Sequence, residues 1–438
     1  MPELLDRYFH FKTKALKTGW AILHIGFIFF CVYLLGKKWR VVSTKLFWSA
    51  FSFRLVAGFS LGLVYTYYYS SNDTWLFFED AQKFSALAKK DFFYFLNILM
   101  DFSDEQTALG FAGHDLRSIF FIKIISVFCL ISLNNYWVCS AYFSLFAFII
   151  SWYLHQKVTR LLPASNTASA LAFLFFPSVI FWSSGLEKES LALAGIYFLV
   201  IFFLVLLDGQ KPRAFLWILI FPMGFVVWSL KYYWAVIFLM AVLTAVLMRF
   251  LSVRYSGIKN YFLQVWTVAF FGIGLLFSFS HPNFYLAAFR EVIVSNYHAF
   301  AVISDPENLI HYVQFEPTWT SLLVNSPWAL FSGLFRPVIG EGHGLLGLAA
   351  SIENLFLLAL FLVSLVNLKR ALRSSQQIIL LTAISYCAVL CVFLALSAPN
   401  LGTLSRYRVG FLPFFVFMIA YRNPLMKWVT DKFNLKDV

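Results

Sequence analysis

The stretch 190–207 reads SLALAGIYFLVIFFLVLL, eighteen residues without a charge. As a helix rising about 1.5 Å per residue it measures roughly 27 Å, close to the ~30 Å hydrocarbon thickness of a bilayer. It has company. Uncharged or nearly uncharged runs of 13 to 24 residues recur at 20–36, 46–69, 136–154, 167–182, 214–230, 232–248, 261–280, 344–366, 378–398 and 409–421, eleven in all. A twelfth, 119–133, contains Lys123 and reads as a re-entrant or interfacial helix. The whole chain agrees: of 438 residues 61% are hydrophobic, 20% aromatic and only 13% charged, whereas a soluble domain carries about 25% charge and about 45–50% apolar residues. A single soluble core is excluded. The runs also lack the alternation in segments of about ten residues that marks an outer-membrane barrel. The expected fold class is an all-α polytopic membrane protein with about 11–12 transmembrane helices.

The net charge of +13 would raise the question of nucleic acid in a soluble protein. In a membrane protein it reports orientation, because lysine and arginine accumulate in cytoplasmic loops. The connections 37–45, 155–166, 208–213, 249–260, 367–377 and 422–438 hold eighteen of these residues, against four in 183–189, 231 and 399–408. The first set is therefore expected inside, with the C-terminus. Two long loops, 70–118 and 281–343, then fall outside. They are rich in aromatics such as Phe77, Phe78, Phe92, Phe93 and Tyr94, which suggests helices lying on the membrane surface. The first hydrophobic run either spans or lies in the interface, and lysines at 12, 14 and 17 leave its direction open. No cleavable signal peptide is expected. The five cysteines (31, 129, 139, 387, 391) sit in apolar runs without metal-type spacing and read as small core residues. No internal repeat appears, which weakens a repeat-built transporter.

Three clusters could carry chemistry. The 70–118 loop holds eight of the 21 carboxylates: Asp73, Glu79, Asp80, Asp91, Asp101, Asp104, Glu105 and Asp115. If 74–90 is helical, Glu79 and Asp80 point about 100° apart, so one can face a site while the other faces solvent. The structural alternative makes Asp73 an N-cap and pairs Glu79 with Lys83 at i,i+4. The second cluster is Glu187, Lys188 and Glu189 in FWSSGLEKES (181–190), where Ser184 and Glu187 also fit a capping box. The third is Arg406 and Arg408, suited to gripping phosphate oxygens or to snorkelling toward head groups. Arg336 adds an outer cation. Arg54 and Glu353 are charges placed inside spans, and Arg54 calls for an acid or a lipid phosphate. His281, His298, His311 and His343 show no metal spacing, and Gly340–Gly344 lacks the strand-to-helix context of a nucleotide loop.

This arrangement resembles the GT-C superfamily of integral membrane glycosyltransferases, which includes protein O-mannosyltransferases and lipid A aminoarabinose transferase. Asp73, Glu79 and Asp80 match by position the acidic motif of the family's first outer loop, and Glu187-Lys188-Glu189 the acidic position of a later outer hairpin. Residues 181–189 also resemble the corresponding segment of bacterial membrane proteins associated with this group. The Trp-Trp-Asp motif of oligosaccharyltransferases is absent. The resemblance covers about 46–250, between an N-terminal segment (1–45) and a C-terminal set of helices (251–438). It implies transfer of a sugar from a polyprenyl-phosphate carrier to a glycan, lipid or protein acceptor on the outer face of a bacterial inner membrane. Asp73, or else Glu79 or Asp80, would be the base. Glu187, Lys188, Glu189, Arg336, Arg406 and Arg408 would bind substrate, the cations holding the carrier phosphate. A divalent cation (Mg2+ or Mn2+) has room in that chemistry, although no sequence feature requires one. Two rival readings are an O-antigen polymerase or ligase, which would rest on Arg336, Glu341 and His343, and a non-catalytic transporter or flippase.

Overall fold

The structure, a computed structural model, describes residues 2–69, 73–101, 115–341, 344–372 and 376–432. Asp104, Glu105 and His343 lie outside the described residues. Among the described residues the chain is helical, with no pairing of extended backbone beyond an isolated bridge between Leu309 and Asn400. Among the described residues seven helices are long and apolar enough to cross a membrane, eight if a bent pair counts as one span. The chain is thus a polytopic helical membrane protein.

In chain order the helices are α1 (Pro2–Trp39), α2 (Thr44–Tyr67), α3 (Asp73–Lys90), α4 (Phe92–Met100), α5 (Leu116–Ser132), α6 (Tyr136–Leu161), α7 (Asn166–Ala170), α8 (Pro177–Trp182), α9 (Lys188–Leu207), α10 (Ala214–Arg254), α11 (Phe262–Phe277), α12 (Leu286–Ile303), α13 (Trp319–Phe335), α14 (Gly344–Leu372), α15 (Gln377–Ser397), α16 (Leu401–Tyr407), α17 (Leu412–Ala420) and α18 (Pro424–Lys432). Several starts are written in the sequence. Side-chain oxygens of Ser43, Asp91, Asp115 and Asn400 accept from the backbone amides of Leu46, Tyr94, Ser118 and Thr403, each satisfying a donor the helix cannot. Two of the eight loop acids, Asp91 and Asp115, are therefore caps.

Five expected spans differ from simple rods. The run 167–182 is interrupted: after α7 a π turn occupies Leu171–Phe175, and Phe176 is extended (φ −67°, ψ 117°) ahead of Pro177, as the clash of a proline ring with the preceding residue demands. The run 409–421 holds only the nine-residue α17, and the segments Leu401–Gly410 and Leu412–Ala420 bend by 71°. The run 261–280 shortens to the sixteen residues of α11. The runs 214–230 and 232–248 fuse into the 41-residue α10, which is non-helical at Lys231 (φ −147°, ψ 63°). Straight, 41 residues would measure about 60 Å, twice a bilayer core. The break falls where the sequence separates two crossings.

The chain divides into two compact units. Unit 1 comprises 1–153, 180–198 and 221–231, and unit 2 the remainder. In unit 1, α3 lies on α5, α4 and α2, burying Thr74, Phe78, Ala81 and Ser85, a stripe at helical spacing. Phe47, Phe51, Phe148 and Trp152 form an aromatic core, with Phe47 and Trp152 ring centres 4.8 Å apart. In unit 2, α15 packs against α12, α13 and α17, and Phe335, Phe361 and Phe415 meet at 5.4–6.0 Å. Ile218, Phe221 and Val253 of α10 stay largely exposed, as a lipid-facing surface requires. The cysteines are free, four of them buried, in keeping with small core residues.

Candidate functional site

The 183–190 turn of unit 1 gathers the most buried polarity. Ser183, Ser184, Glu187, Glu189 and Ser190 are each no more than 1% exposed. The turn departs from the expected capping box. The Ser184 hydroxyl donates back to the Ile180 carbonyl at 2.6 Å, and the start of α9 is secured by Ser190, which donates to the carbonyls of Gly185 (3.0 Å) and Glu187 (2.6 Å). Gly185 adopts φ +70°, the left-handed region that glycine enters without penalty. It lies so close to α2 that a Cβ on it would sit 2.9 Å from the Gly58 carbonyl oxygen. Ser144 of α6 accepts from the Gly185 amide at 3.1 Å. The turn is therefore clamped between α2 and α6.

Arg54 of α2 is 1% exposed. Its guanidinium donates to the Ser183 carbonyl (2.8 Å), the Ser183 hydroxyl (3.1 Å) and the Ser151 hydroxyl (3.2 Å). The expected acid or lipid phosphate is replaced by neutral oxygens of this turn, which supply the hydrogen bonds that a buried cation needs.

Lys188 is the cation at the edge of the turn. Its Nζ donates to Ser118 Oγ at 2.6 Å, lies 3.8 Å from Asp115 Oδ1 and stands 4.6 Å from the centre of the Phe77 ring. Asp115 also pairs with Arg117 at 2.5 Å. Burial pushes the Asp115 carboxyl up, but the Ser118 hydrogen bonds and the charges of Lys188 and Arg117 outweigh it and hold the group below the usual carboxylate range. The next residue, Glu189, is deeper: its carboxylate meets Lys231 Nζ at 2.8 Å with side chains 1% and 7% exposed. Glu189 is thus engaged inside the protein, at the break in α10, and Lys231 joins the site unforeseen. A lone lysine between two apolar runs was the signal.

The first acidic segment reaches the same turn. Thr74 Oγ1 donates to the Leu186 carbonyl at 2.8 Å and shares a 3.0 Å hydrogen bond with the Tyr136 hydroxyl. Asp73, half-buried, belongs to the same first turn of α3 and stands one turn before Phe77, the ring beneath Lys188. Asp80 shares that side of the helix, about 20° away in projection. Glu79, about 120° round, is exposed. Lys83 pairs with Asp80 at 2.7 Å, at i,i+3, correcting the expected Glu79–Lys83 pair, and that hydrogen bond raises the Lys83 ammonium above its usual value. Asp73 stands in the first described turn of α3. Glu187 closes the turn, buried, its amide donating to the Gly185 carbonyl at 3.0 Å.

The expected arginines lie in unit 2. Arg408, 1% exposed, donates to Asn354 Oδ1 (2.7 Å) and Glu353 Oε1 (3.2 Å), and the other Glu353 oxygen accepts from the Ser178 amide at 2.8 Å. This is a structural strut, and it explains the intramembrane Glu353. Arg336 is held by both Glu341 oxygens at 3.0 and 2.9 Å and lies over Trp328. Arg406 is half-buried, 5.4 Å from the Tyr407 ring centre. Among the described residues no group of three or more His, Cys, Asp or Glu could hold a metal ion. The chain matches no family model, no curated protein and no solved structure.

Proposed function

We propose that the protein is an integral membrane glycosyltransferase of the GT-C kind, moving a sugar from a polyprenyl-phosphate carrier to an acceptor hydroxyl at the outer face of the membrane. One observation carries this reading: the hydrogen bond from Thr74 to Leu186, which seats the acidic start of α3 on the turn that bears Lys188. The reading rests on unit 1. Asp73 accepts the acceptor's hydroxyl proton as its oxygen attacks the anomeric carbon, a role typically worth roughly 10²–10⁴ in rate. The bond from that carbon to the phosphate oxygen breaks, and the leaving phosphate takes the electron pair. Lys188, fixed by Ser118 and Asp115, offsets the charge that gathers there. Asp80 stands on the same side of α3 as a second carboxylate. Glu79 faces away, and Arg336 and Arg408 already hold acids of their own, so none of these three is assigned a part.

The test uses purified protein in liposomes with a radiolabelled polyprenyl-phosphate sugar. Asp73→Asn is expected to lower transfer by about 10²-fold or more while leaving carrier binding intact, and Lys188→Ala to weaken both. Transfer undiminished in Asp73→Asn, Asp80→Asn and Lys188→Ala alike would sink the reading. A transporter for a lipid-linked substrate is the second reading. The buried Lys231–Glu189 pair at a helix break favours it, since transporters place charges and broken helices at depth. Movement of the labelled lipid between leaflets without transfer would select it.

A further inference from the structure

Unit 2 contains a groove of about 360 Å³ walled by α13, α14, α15 and α17, with Leu334, Phe361, Ile384 and Met418 each contributing one wall. A second space of about 80 Å³ shares Leu162, Ile379, Ala383 and Phe417 with it, so the two run on along α15. The larger volume falls within the roughly 300–1,000 Å³ of ligand pockets. The polar side chains along it are spoken for. Ser364 donates to the Phe361 carbonyl at 2.7 Å, Asn423 to the carbonyls of Leu360 and Ile419 at 2.9 and 2.8 Å, and the Tyr421 hydroxyl to the Pro163 carbonyl at 3.1 Å. Such walls suit an apolar chain. Because α14 and α15 are membrane-crossing by length and composition, the medium that meets them is lipid.

One end differs. Arg422, exposed and in the left-handed region at φ +54°, lies 5.1 Å from the Tyr421 ring centre, with Gln376 beside Tyr421. From Pro424 the short helix α18 carries Lys427, Trp428 and Lys432, and Lys432 stands over the half-exposed Trp428 at 4.6 Å. Tryptophan and lysine on a short amphipathic helix are the residues that settle at head-group level. The groove thus runs from a hydrocarbon-like interior to a basic mouth.

We propose that this groove holds an acyl chain of an anionic phospholipid, with the head-group phosphate on Arg422. This site is separate from the one assigned to sugar transfer, and its test reads no transfer. Native mass spectrometry of the full chain in detergent micelles, with phosphatidylglycerol or phosphatidylcholine of matched chains added at equal concentration, is expected to show the former retained in preference. Arg422→Gln is expected to cut that preference by roughly fivefold, the worth of one basic residue against an anionic lipid. Ala388→Trp, which fills the groove, is expected to abolish retention of both lipids, and Ala383→Phe serves in its place if the tryptophan variant does not fold. Unchanged retention in a folded groove-filling variant, or an unchanged preference in Arg422→Gln, would overturn the proposal. So would displacement of phosphatidylglycerol by an equal amount of polyprenyl phosphate, which would give the groove to a different lipid.

Discussion

Replacing Lys231 by methionine keeps the length of the side chain and removes its charge, leaving the Glu189 carboxylate 1% exposed without the ammonium 2.8 Å away. Breaking a buried pair from one side typically costs about 3–5 kcal/mol, whereas exchanging both members for apolar residues is often neutral or better. Unit 1 spans about 180 residues, a size at which each kcal/mol shifts the melting point by about 2–4 °C. Lys231→Met is therefore expected to melt on the order of 10 °C below the wild type, and Glu189→Leu/Lys231→Met to recover most of that loss. The assay is the temperature at which half the protein leaves the monodisperse peak in fluorescence-detected size exclusion, at one fixed heating time because unfolding of such proteins is a rate as much as an equilibrium. The contrast between single and double variants isolates the pair. A single variant within a degree or two of the wild type, or a double variant as labile as the single, would refute the reasoning.

Two further outcomes are expected. Gly185 and Gly209 share a positive φ, +70° and +72°, but only Gly185 is crowded; Gly185→Ala should lower stability by about 1–3 kcal/mol more than Gly209→Ala, and equal losses in thermal melts would remove the clamp between α2 and the turn. Asp115 has a carboxyl depressed below its ordinary value of 3.8, so its contribution is complete above that value and is lost as the pH falls below it. Melting points followed from pH 6 downward should fall less steeply in Asp115→Asn than in the wild type, and superimposable profiles would contradict the assignment.

Much of this molecule is legible as sequence because membrane crossings announce themselves by uninterrupted apolar length. The break at Lys231 is legible for the same reason, since a lysine between two such runs has no comfortable depth. What escaped is non-local. Arg408 finds Glu353 across 55 positions, and no spacing rule links them, so this buried pairing could not be read from the sequence. Ser184 has the pattern of a capping box, yet a serine hydroxyl satisfies itself equally well on the carbonyl four residues back. The i,i+4 rule offered Glu79 to Lys83, and the neighbouring carboxylate at i,i+3 took it. At the site itself, Glu187-Lys188-Glu189 stood out by composition. Its division into an edge cation and a buried pair depends on Phe77, Ser118 and Lys231, which come from three other helices.

The pairing of Glu189 with Lys231 also bears on biogenesis. Synthesis delivers the acid to the membrane 42 residues ahead of the base it meets in the folded protein, so while α9 is emerging Glu189 lacks the ammonium of Lys231. That turn has reason to linger at the water boundary until the lysine arrives, and a nascent chain cut short before residue 231 would keep α9 from settling to its final depth.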